Sequence, residues 1–102
     1  MDDQQKHQLL FTQLVIMFQV ATMQQLGKLK NPVTDKIERD LRAAQSSIDV
    51  LDMLKHKTKG NLAPEEERFI NETLKELKLN YVDEMNKPHP APSQPEEGKN
   101  DA

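Results

Sequence analysis

The stretch Leu51-Asp-Met-Leu-Lys-His-Lys-Thr-Lys-Gly60-Asn-Leu-Ala-Pro64-Glu-Glu-Glu67 constrains the fold more than any other part of the chain. Three independent chemistries there say that one helix ends, the chain turns and another begins. Lys55, His56, Lys57 and Lys59 crowd a final turn, where exposed carbonyls favour positive charge. Gly60 supplies the left-handed conformation that closes a helix and that a Cβ resists. Pro64 suits the first position of the following helix, where a missing N–H is harmless, and Glu65 to Glu67 match its positive end. A chain with this corner is built from helical hairpins.

Upstream, no residue between Lys6 and Lys28 carries a formal charge, taking His7 as neutral. Leu10, Leu14, Met17 and Ala21 form one helical stripe, and Phe11, Val15 and Phe18 lie beside it. Leu9, Ile16, Val20 and Met23 carry the apolar surface around most of the circumference, so this helix is expected to be covered on several sides. Its length is close to that of a membrane span, but Gln8, Gln13, Gln19, Gln24 and Gln25 interrupt it, and lipid offers their amides no partners. A transmembrane protein is therefore not expected. Gly27 is a natural stop.

The segment from Lys28 to Arg39 reads as a connection, with a turn at Asn31-Pro32 and a short early turn capped by Thr34 or Asp35. Asp40 is the expected N-cap of a second helix whose stripe is Leu41, Ala44, Ile48 and Leu51. The third helix buries Ile70, Leu74, Leu77 and Tyr81, while Leu79 and Val82 fall off that stripe. Its cap position is Ala63, which has no side-chain oxygen, although Glu66 is placed to reach back to the backbone. From Lys87 onward Pro88, Pro90, Pro92 and Pro95 forbid helix and no large apolar residue follows Met85, so a disordered tail is expected.

At 102 residues, with 30% charged residues and a net charge of −3, the chain has room for one domain and no global pull toward nucleic acid or anionic membranes. It has no cysteine, which removes disulfides, thiolate chemistry and cysteine-based zinc sites and suits a cytoplasmic location. His7, His56 and His89 have no second ligand at helical spacing, so no metal or other cofactor is expected. No phosphate loop, nucleophile elbow or Glu-x-x-His motif is present, and an enzyme is not expected. No polar constellation for a small-molecule pocket between helices is visible either.

Taken together, Leu26-Gly-Lys-Leu-Lys-Asn-Pro-Val-Thr, Ile48-Asp-Val-Leu-Asp-Met-Leu, Lys57-Thr-Lys-Gly-Asn-Leu-Ala-Pro-Glu-Glu-Glu and Leu77-Lys-Leu-Asn-Tyr-Val resemble a family of small bacterial proteins. That family is known as domain of unknown function eighteen-forty-four. The resemblance runs from about Phe11 to Glu84, and implies a bacterial, cytosolic, helical protein without transferable catalytic residues. Ala63 departs from the threonine expected there, and the glutamine-rich first helix is more polar than the family pattern.

The expectation is thus an all-α domain over residues 1–86, with helices near 5–26, 41–58 and 64–85, followed by a tail over 87–102. The helices are expected as two consecutive antiparallel hairpins. The leading functional expectation is a self-associating module, a dimer above other states, or one meeting a protein partner. Its contact residues would be Phe11, Val15, Phe18 and Val20, joined by Leu79 and Val82. The alternative is a peripheral nucleic-acid or membrane-surface binder working through Lys55, Lys57 and Lys59. Nucleic acid is the weaker partner, because Glu65 to Glu67 occupy the helix start where bases would be read.

Overall fold

The computed structural model describes residues 1–88; most of the expected disordered tail, with Pro90, Pro92 and Pro95, lies outside them. The order of elements is α1 (Asp3–Gln25), β1 (Leu26–Asn31), β2 (Lys36–Arg39), α2 (Leu41–Lys57) and α3 (Pro64–Met85).

Helix α1 starts earlier than its apolar pattern does because a capping box builds the first turn. Asp2 Oδ1 accepts the Gln5 N–H at 2.8 Å, and Gln5 Oε1 accepts the Asp2 N–H at 3.1 Å. Asp40 caps α2 as expected, accepting the Ala43 N–H at 3.1 Å. The other end of α2 closes with the Thr58 hydroxyl on the Leu54 carbonyl at 2.8 Å, and Gly60 turns the chain at φ +86°. Ala63 gives α3 no side-chain cap, but Glu66 Oε1 accepts the Ala63 N–H at 2.8 Å, the half of a capping box that the sequence allows.

One element corrects the all-helical expectation. Between α1 and α2 the chain forms a two-stranded antiparallel hairpin, pairing Leu26 with Arg39, Lys30 with Ile37 and Asn31 with Lys36 around a bulge. Gly27, at φ +79°, lets the chain leave the helix and enter the strand directly, and a Cβ there would stand 3.4 Å from the Arg39 Cβ. Asn31 Oδ1 accepts the Val33 N–H at 2.8 Å, which makes the turn at Asn31-Pro32. Asp35 caps no helix; it sits in that turn at φ +58°. The Asp40 N–H donates to the Gln25 carbonyl at 2.7 Å, so the hairpin returns the chain to the place where α1 ended. Helix α2 then starts beside the end of α1 and packs along it.

The three helices pack on one another around Val15, Ile48, Leu51, Ile70, Leu74 and Leu77, with Phe11, Phe18, Leu54, Leu62 and Tyr81 against them. Each large side chain removed from water here contributes about 1.5–3 kcal/mol. Polar groups at the seams are satisfied locally. The buried Thr22 hydroxyl donates to the Phe18 carbonyl at 2.6 Å, and the Ser47 hydroxyl donates to Gln25 Oε1 at 2.8 Å, fastening α2 to the end of α1.

Candidate functional site

The helical period divides α1 into two faces. Phe11, Val15, Phe18 and Thr22 recur at intervals of three and four and face the core. The opposite face carries Leu9, Leu10, Leu14, Ile16, Met17 and Val20, all between 37 and 65% exposed. Gln13 and Gln24 share it, and no formal charge crosses it until Lys6 at one end and Lys28 at the other. Such a face is unusual for a helix in water, where polar residues normally fill the outside.

This divides the four contact residues expected from sequence. Val15 is fully enclosed by its own chain, and Phe11 and Phe18 pack against the same core. Val15 is thus taken up inside the molecule, while Phe11 and Phe18 keep part of their rings exposed. Val20 alone of the four lies on the outer face. Leu79 and Val82 are exposed on α3, among Lys75 and Lys78. The outer residues of α1 lay in the same apolar list, and the two rings hold the clue to the choice of face. An aromatic side chain buries about 150–250 Å², so a Phe11–Phe18 seam has the stronger claim to the core.

At the corner, Lys55, Lys57 and Lys59 are all exposed, but they do not all line one hollow. Lys55 and Lys59 line a hollow between the end of α2 and the start of α3, together with His56, Leu62, Glu67 and Asn71; Lys57 does not. His56 Nδ1 lies 2.8 Å from the Asp52 carbonyl, the helix-end role expected of it.

A third cluster, unread in the sequence, ties the hairpin to the end of α3. Lys28 Nζ stands 2.9 Å from Asp83 and 2.8 Å from Glu84, and Lys87 Nζ reaches both carboxylates at 3.1 Å. Arg39 Nη1 donates to the Glu84 backbone carbonyl at 3.0 Å and lies 3.4 Å from its carboxylate. Glu84 is 8% exposed. Its hydrogen bond to Lys28 holds its carboxyl below the usual range despite burial, and the same lysine lowers Asp83. Lys28 is raised in turn by Glu84 and Asp83. Every charge here is answered by another, so the cluster fastens the hairpin to α3.

Among the described residues no group of three or more His, Asp or Glu side chains is placed to hold a metal ion. No helix among them is long and apolar enough to cross a membrane. What emerges is a class of small, mostly helical protein: three helices with a two-stranded hairpin set between the first two, and one helix with an uncharged outer face. The chain belongs to the family described as Domain of unknown function (DUF1844), whose pattern matches residues 8–83. That span takes in α1 from Gln8 onward, the hairpin, α2 and α3 as far as Asp83. No curated protein and no solved structure matches the chain.

Proposed function

We propose that the protein is a non-enzymatic assembly module of the bacterial cytoplasm that pairs with a second copy of itself through the outer face of α1. One observation carries this reading: six large apolar side chains lie exposed on a helix face that bears no formal charge. Water disfavours such a contiguous patch, and burial against an identical face removes it at about 25 cal/mol for each Å² covered. A two-fold axis lets one helix supply both halves of the contact, which is the commonest closed symmetry. At 23 residues α1 is long enough for this; with a rise of about 1.5 Å per residue it presents a strip roughly 35 Å long.

The test is a charge placed on each face. Met17→Lys, on the outer face, is expected to give a folded monomer with unchanged helical circular dichroism. Val15→Lys, on the inner face, is expected to unfold the chain, since an unpaired charge cannot be buried there. If Met17→Lys leaves the assembly intact and folded, the outer face is not the contact.

A further inference from the structure

We propose that the hollow at the α2–α3 corner binds a small phosphorylated amine, with the phosphate held by Lys55 and Lys59 and the amine by Glu67 and Asn71. Lys55 lies in the last turn of α2 and Lys59 in the turn that follows it, while Glu67 and Asn71 lie about one helical turn apart on α3. The reversal at Gly60 sets the two pairs across a hollow of about 430 Å³, also lined by Leu62. Sites for small ligands begin at about 300 Å³.

Among the described residues, Lys55, Lys59 and Glu67 form no ion pair. By contrast Lys28, Arg39 and Lys87 are all matched to Asp83 or Glu84 at the far end of α3. His56 is taken up by the Asp52 carbonyl, to which its Nδ1 donates. Asn71 Oδ1 is buried without a hydrogen-bond partner, the one such side-chain atom among the described residues. A buried acceptor without a donor calls for an occupant. Asn71 lines the hollow, so an occupant there is placed to supply the missing donor.

The ligand chemistry follows from the two sides. Two ammonium groups present several donors and net positive charge, which suits a group with three or more acceptor oxygens and a full negative charge. The facing carboxylate and amide oxygen accept, so the same molecule must carry an N–H donor. A phosphorylated amine satisfies both, whether as a free metabolite or as the headgroup of a lipid.

The experiment follows backbone amide shifts of the full ¹⁵N-labelled chain during titration with O-phosphoethanolamine, inorganic phosphate and ethanolamine. Saturable shifts spanning Lys55 to Asn71 are expected with O-phosphoethanolamine, several-fold weaker shifts with inorganic phosphate, and none with ethanolamine alone. Lys55→Met is expected to weaken both phosphate probes. Asn71→Leu removes the orphaned oxygen, so it is expected to weaken O-phosphoethanolamine selectively without lowering the thermal midpoint. Vesicles of phosphatidylethanolamine distinguish the sources: tighter binding than the free compound assigns the site to a headgroup, and weaker binding assigns it to a metabolite. Absence of saturable shifts with O-phosphoethanolamine overturns the proposal. So do equal responses to inorganic phosphate that Asn71→Leu leaves unchanged.

Discussion

Glu84 takes three cations onto one nearly buried carboxylate, and its protonation loosens the hairpin from α3. Its folded pKa lies below the ordinary 4.5, as that of Asp83 lies below 3.8. Their stabilisation is therefore complete above those ordinary values and is lost as pH falls through the depressed ones. Lys28, raised from 10.5, works in the other direction: its share is complete below that value and disappears only in strong alkali. The thermal midpoint is expected to hold level across neutral pH and to fall in acid below about pH 4.5. Glu84→Gln should lower neutral stability by about 2 kcal/mol, since a charged hydrogen bond is removed near buried Arg39, and should flatten the acid limb. A flat acid limb in the unaltered chain contradicts this role. At the α3 cap, Ala63→Ser is expected to add about 1 kcal/mol by supplying the missing oxygen, readable as a higher urea midpoint. This defect was legible because a cap involves residues three apart. The Glu84 cluster was not, because it joins residues up to 56 positions apart.

At the scale of elements, the three helices were legible for a shared reason: each has apolar residues at helical spacing and an explicit stop, at Gly27, Gly60 or the prolines from Pro88. The hairpin was not. Its strands are six and four residues long, rich in lysine and without alternation, and a bulge breaks their pairing. The turn at Asn31-Pro32 was visible, yet the pairing that makes it a hairpin depends on Gly27 and on the bond from Asp40 back to Gln25. Gly27→Ala is expected to lower stability by about 1–2 kcal/mol, because a left-handed conformation is imposed on a Cβ already close to Arg39. Unchanged chemical denaturation of that variant would show that the hairpin tolerates another backbone path. The two faces of α1 make the same point about packing. Phe18→Ala is expected to destabilise the monomer by about 2–3 kcal/mol, toward the lower end for a ring that is only partly buried. Met17→Ala, on the outer face, should stay within about 0.5 kcal/mol in dilute solution. Equal losses at both positions would erase the distinction between inner and outer face.

For the whole molecule, sequence periodicity established that α1 is apolar nearly all round, but not which side its own chain covers. That choice depends on where α2 and α3 land, and the hairpin decides it by returning the chain to the end of α1. The consequence is an uncharged strip facing outward, with Leu14 and Met17 near its middle. The most direct measurement is the solution mass of the unaltered chain by light scattering on a sizing column, over a hundredfold range of concentration. The account predicts twice the mass of one chain at the upper end, with Met17→Lys eluting at the mass of one. A monomer at every concentration, folded and indistinguishable from Met17→Lys, would contradict it.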